Sequence, residues 1–220
     1  MSDSAAMRHG RLILVPAVIT LAVTLLRLAG ELLEWSSALF NRSAGGGGAI
    51  VGIVWLVPIF GIYFALTLAR AGERPAKLLR ALGLVLLALV LMPVVGAVAA
   101  AAGVDPLGLA MLVLFAVAAV GAVLLALSAW PSLTRVLVAY GLAARIPVAI
   151  IMLLAILGNW GTHYDAPPPG FPEMSPLAMW FWTGLIPQML IWIAFTVVVG
   201  VLFGLVAVAI VHRGPKAEAA

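Results

Sequence analysis

The chain is a succession of long apolar runs separated by short polar joints. The runs cover residues 12–40, 50–69, 78–102, 107–130, 133–160 and 184–211. Most reach the ~20 residues that an α-helix needs to cross the hydrocarbon of a bilayer. None alternates with the ~10-residue segment length of a transmembrane barrel strand. In lipid every backbone N–H and C=O must be paired within its own segment, so unbroken runs of this length predict helices. The fold class expected is therefore all-α: a polytopic membrane protein, a six-transmembrane-helix bundle, forming one integral membrane domain over residues 1–220.

The last apolar stretch is too long for one perpendicular crossing. From Leu177 to Val211 it would extend over ~50 Å at ~1.5 Å per residue. "PLAMWFW" is placed near the outer interface, with the crossing helix starting near Gly184 and Pro187 marking a bend. One strongly tilted helix is the alternative. Pro16, Pro58, Pro93, Pro147 and Pro187 all fall inside expected spans, where membrane helices tolerate them. Gly200 and Gly204 form a G-x-x-x-G pair, a spacing that permits close helix contact but arises by chance in a chain with 22 glycines.

Basic residues in the joints set the orientation. One side carries Arg8 and Arg11, then Arg70, Arg74, Lys77 and Arg80, then Arg135, then Arg213 and Lys216; the other carries Arg42. This alternation fits six crossings with both termini cytoplasmic (N-in/C-in), in a membrane of the bacterial inner, or cytoplasmic, type. The N-terminal run resembles a signal peptide, but it continues into "RLAGELLEW" without a small-residue cleavage site, so it is read as a retained first span.

Composition supports the membrane reading: 65% of residues are hydrophobic and 9% charged, against roughly half and a quarter in soluble domains. The net charge of +4 belongs to these topology signals and to contacts with anionic lipid, so no nucleic-acid partner is expected. The partners expected are the lipid bilayer, a small solute or ion, and a protein partner or second copy. The absence of cysteine removes disulfides, thiolate metal sites and thiol catalysis.

On the outer side, "NRSAGGGG" reads as a flexible loop and "GVDP" as a tight turn. The third outer loop, 158–176, is proline-rich; Pro167, Pro168 and Pro169 favour a stiff polyproline strap. Trp160, Tyr164, Phe171, Trp180, Phe181 and Trp182 cluster around it and read as an interfacial aromatic belt.

Against this apolar background, "LLRLAGELLEW" carries charge. Thr20, Thr24, Arg27, Glu31 and Glu34 are spaced 4, 3, 4 and 3 and fall on one helical face. Such a stripe should face protein or water. Arg27 and Glu31 are i, i+4 neighbours that can pair. Arg145 is expected at the same depth: Arg27 precedes Asn41 by 14 residues, as Arg145 precedes Asn159. A neutral buried network of Arg27, Glu31, Glu34 and Arg145 between spans 1 and 5 follows, with Tyr63 and Tyr140 as hydrogen-bond partners. It either locks helix packing or forms a binding site for a solute, ion or proton, in which arginine holds an anionic group.

"NWGTHYD" places Asn159, His163, Tyr164 and Asp165 at the outer mouth of span 5. The segment is either a self-capped loop or a proton relay; His163 and Asp165 with Glu173 are too few and too loosely spaced to assign a metal. No hydrolase, zinc-protease or P-loop motif is present, and no span holds a histidine for haem, so no cofactor or catalytic residue is assigned and the reading leans away from an enzyme. A lipid-modifying enzyme using His163 and Asp165 is the least favoured option. The leading function is a transporter or channel-like protein for a small solute, ion or proton. The alternative is a non-catalytic subunit or scaffold of a larger membrane complex.

Overall fold

A computed structural model describes the backbone of residues 3–47 and 49–211, and the side chains from Leu12 onward. The described residues are all-helical, with no strand. Six helices carry the chain: α1 (Asp3–Leu32), α2 (Leu56–Arg70), α3 (Leu78–Ala101), α4 (Leu109–Ala129), α5 (Pro131–Gly158) and α6 (Pro176–Val211). Five have stretches long and apolar enough to cross a membrane; α2, with 15 residues, is shorter. At ~1.5 Å per residue α2 spans about 22 Å, against ~30 Å of bilayer hydrocarbon. Of the basic residues used for orientation, Arg213 and Lys216 lie outside the described residues, as do the side chains of Arg8 and Arg11.

Three boundaries differ from the hydropathy pattern. The first run predicts helix through Phe40, but α1 stops at Leu32. Glu34 takes a left-handed backbone (φ 57°), Trp35 N–H donates to Gly30 C=O, and the chain turns away. This is the geometry of a helix C-terminus. The second run predicts helix from residue 50; 49–55 is instead irregular and leads into α2 at Leu56. The third difference is in α6, which shows no break at Gly184. It is one continuous run from Pro176, with π-helical pairing over Trp180–Leu185 and Pro187–Ile191. Ile186 N–H bonds Phe181 C=O, and Trp192 N–H bonds Pro187 C=O, each five residues back. Proline removes one donor and crowds the turn before it, and widening the helix relieves the crowding.

The chain divides into two compact units. The first comprises Met1–Leu56 and Ala139–Ile193, hence α1, the C-terminal part of α5, the 159–175 loop and the π-helical part of α6. Its core joins Val148, Ile151, Ala155 and Tyr164, with Leu28, Ile53, Met152 and Trp160 packed on them.

The second comprises Val57–Val138 and Ala194–Ala220. Here α3 and α4 pack as a helical hairpin with glycines at their contact: a Cβ on Gly121 would stand 3.3 Å from the Leu91 side chain, and one on Gly96 3.5 Å from Phe115. Small side chains let two backbones approach where lipid provides no hydrophobic drive for association. The same rule operates between α2 and the end of α6. A Cβ on Gly61 would stand 2.6 Å from Gly200 C=O, and one on Gly204 would stand 2.7 Å from the Ala65 Cβ. The G-x-x-x-G spacing is thus a real contact in this unit.

Candidate functional site

The polar face of α1 lies within the first unit and is buried from Thr20 to Glu31. The Thr20 hydroxyl donates to Pro16 C=O (2.8 Å) and therefore accepts from Tyr140 O–H (2.7 Å). Thr24 donates to Thr20 C=O and offers its own carbonyl to Tyr164 O–H. Tyr63, the other tyrosine expected near the network, lies in the second unit and is 44% exposed.

Arg27 and Glu31 form the expected i, i+4 pair, Nε to Oε1 at 2.8 Å. Glu31 is fully buried (0% exposed) and fully committed. Its Oε1 also accepts from His163 Nδ1 at 2.6 Å, and Oε2 accepts the His163 backbone N–H at 2.8 Å. A carboxylate only accepts, so Nδ1 carries the proton. The Glu31 carbonyl takes two donors from Arg42, Nε and Nη2. Burial pushes His163 below the usual histidine pKa; the Glu31 bond pulls the other way, and nearby Arg27 adds to the lowering. Burial likewise pushes the Tyr164 phenol well above its usual value, leaving it a neutral donor.

Arg27 also organises the glycine-rich loop. Its Nη2 donates to Asn41 C=O (3.2 Å) and Gly46 C=O (3.0 Å), while Asn41 Nδ2 donates to Gly47 C=O. Gly46 has φ 66°, and a Cβ there would sit 2.7 Å from both Arg27 Nη2 and the His163 ring. A stretch read as flexible is therefore clamped at Gly46; Gly48 lies outside the described residues.

The other expected members of the network lie elsewhere. Glu34 is past the end of α1, with its side chain 78% exposed, and pairs with Arg42 at 3.3 Å. Because the helix ends two residues earlier, the helical spacing that aligned Glu34 with Glu31 does not extend to it. Arg145 is 4% exposed and makes no ion pair among the described residues. Its Nη1 donates to Gln188 Oε1 (3.3 Å), its guanidinium lies 4.6 Å over the Trp192 ring, and its buried Nε has no acceptor. Gln188 is the residue that the sequence reading missed. The π-helical turns set its facing, and a regular 100° period does not reveal them.

Arg27 and Arg145 nonetheless meet at one feature, a cavity of about 330 Å³ inside the first unit. Its wall includes Thr24, Gly46, Met152, His163, Tyr164 and Gln188, with Phe171, Trp182 and Trp192 as aromatic surface. Phe171, Trp182 and Tyr164 thus serve the interior, where an interfacial belt was expected. Trp180 is likewise tied inward, Nε1 to Ala149 C=O at 2.8 Å.

Asn159 (φ 48°) ends α5, with Trp160 N–H bonded to Ala155 C=O. Asparagine is one of the few side chains that suit this left-handed cap. Asp165 accepts from Gly161 N–H, Thr162 N–H and the Thr162 hydroxyl, so it caps its own loop, while the His163 ring turns to Glu31. No group of three metal-ligating side chains assembles among the described residues, which removes Glu173 as a third ligand. Compared with protein-family models, curated proteins and solved structures, the chain matches none of them.

Proposed function

We propose that the chain is a six-span integral membrane protein with both termini cytoplasmic, and that the cavity between Arg27 and Arg145 is an outward-facing binding site for a small solute that the protein transports. The observation that carries this reading is the cavity itself. It brings two buried guanidiniums to one space of about 330 Å³, the lower end of the range for small-molecule sites (about 300–1,000 Å³). A network serving packing alone needs no such space. The sixth crossing is supplied by α2 together with the apolar segment before it. Gly52, Ile53 and Val54 of that segment line the cavity, and irregular backbone at membrane depth is tolerated where it lines a cavity.

The scaffold reading has one observation in its favour. The membrane-length windows of α3 and α4 are only 17% and 28% buried, leaving wide apolar faces that a partner, a second copy or lipid would cover.

Because the native chain has no cysteine, single introduced cysteines report accessibility cleanly. In right-side-out vesicles a membrane-impermeant maleimide is expected to label Ser43→Cys and Thr183→Cys, and to label Lys77→Cys only after permeabilisation. Labelling at Lys77 from outside would sink the orientation. Failure of Thr183→Cys to react while Ser43→Cys reacts would sink the solute site and leave the scaffold.

A further inference from the structure

The cavity wall carries a charge that nothing in the wall answers. Arg27 and Arg145 line it, and no aspartate or glutamate does. Arg27 is neutralised by Glu31, and His163 adds no charge as a neutral donor. Arg145 has no such counterpart. Of its five N–H donors, one reaches Gln188 Oε1. Its Nε–H is buried and has no acceptor among the described residues. Stacking on Trp192 holds the planar guanidinium as a plate. Gln188 is itself held, its Nε2 lying 3.7 Å from Met152 Sδ.

We propose that this cavity binds a small monoanionic carboxylate with an apolar body, the carboxylate seated on the Arg145 guanidinium and the body against Val148, Met152, Phe171 and Trp182. The inference rests on the solute-site reading above and names its substrate class. Guanidinium and carboxylate match as two parallel hydrogen bonds. One uncompensated positive charge suits one negative charge. A phosphate dianion would leave a net negative charge in a mostly apolar wall, where an unpaired ion is costly. A cation would face two guanidiniums. A neutral congener would leave the Arg145 charge unanswered, which a buried ion does not tolerate cheaply.

The test uses the full chain in detergent at neutral pH, with hexanoate as probe and 1-hexanol, hexylamine, inorganic phosphate and glycerol 3-phosphate as comparators. Saturable binding is read by calorimetry and by thermal shift. Hexanoate is expected to bind at least tenfold tighter than every comparator and to protect Thr183→Cys from maleimide. Arg145→Lys, which keeps the charge but loses the fork, should weaken it about tenfold. Gln188→Glu guards against a variant that fails to fold. It gives Arg145 a protein carboxylate, so it should melt no lower than the native chain yet lose hexanoate binding.

Equal binding of 1-hexanol, tighter binding of either phosphate, or retained hexanoate binding in Gln188→Glu would each overturn the proposal. The two readings fail separately. If Thr183→Cys is reactive but hexanoate has no effect, the carboxylate assignment falls and the cavity reading stands. If Thr183→Cys is unreactive, both fall.

Discussion

His163 grips Glu31 with both of its available donors, Nδ1 at 2.6 Å and the backbone N–H at 2.8 Å, across 132 positions of sequence. With Arg27 Nε on the same carboxylate, three donors converge on a group that is wholly inaccessible to solvent. The contact ties the 159–175 loop to the end of α1 and so builds one wall of the cavity.

Glu31→Ala would strand Arg27 and both His163 donors. Removing one partner of a buried ion pair costs about 3–5 kcal/mol, because the other charge stays buried without compensation. Adding Arg27→Met to Glu31→Ala removes that stranded charge and should recover part of the loss. Reversible unfolding of the full chain in mixed micelles measures both. A double variant less stable than Glu31→Ala would contradict the pairing seen here.

The pH response follows from His163. Its folded pKa is lowered by burial, with Arg27 assisting, while Glu31 and Asp165 oppose the shift. The folded state then holds fewer protons than the unfolded state between the lowered value and the ordinary ~6.5. Stability from this group is therefore complete above ~6.5 and is lost as pH falls from there through the folded value. His163→Asn keeps a side-chain N–H for Glu31 but does not titrate, so its melting temperature should fall less between pH 7 and pH 5 than that of the native chain. Parallel curves would remove His163 as the source.

Gly45 and Gly46 allow a controlled comparison. Both have positive φ, 71° and 66°, so an alanine at either meets a backbone cost of about 1–2 kcal/mol. A Cβ on Gly45 meets nothing within 4 Å, whereas one on Gly46 would collide with Arg27 and His163. Gly46→Ala should therefore be the more destabilising, and it should change hexanoate affinity more than Gly45→Ala, since both glycines line the cavity but only Gly46 meets a clash. Equal costs and unchanged affinity in both variants would show that the Gly46 contact does not shape the cavity.

Much of the helical frame was legible because lipid forces long apolar runs into helices. α3, α4 and α5 end within about two residues of their hydropathy limits. The buried stripe through Thr20, Thr24, Arg27 and Glu31 was legible for the same reason, since regular helix converts spacing into facing. What regular helix does not describe was not legible. The left-handed turn at Glu34 ended the stripe early, and the π-helical turns brought Gln188 to Arg145. The sequence pointed to Arg145 as the further member beside Glu31; the actual partner is a loop histidine and its backbone, where no periodicity points.

Glu34 gives the sharpest separation between these two pictures. As a fourth member of a buried network it would be nearly as costly to remove as Glu31. In the structure it occupies the left-handed position that closes α1, where glycine carries no steric cost and glutamate costs about 1–2 kcal/mol. Its pair with Arg42 is solvent-facing and worth about 0–1 kcal/mol. Glu34→Gly should therefore be neutral or stabilise the chain by up to about 1 kcal/mol, whereas Glu34→Ala keeps the strain, loses the pair and should be the less stable of the two. Both should leave hexanoate binding unchanged, because Glu34 does not line the cavity. A loss of several kcal/mol in Glu34→Gly, measured beside Glu31→Ala under the same conditions, would return Glu34 to the network and place the end of α1 beyond Leu32.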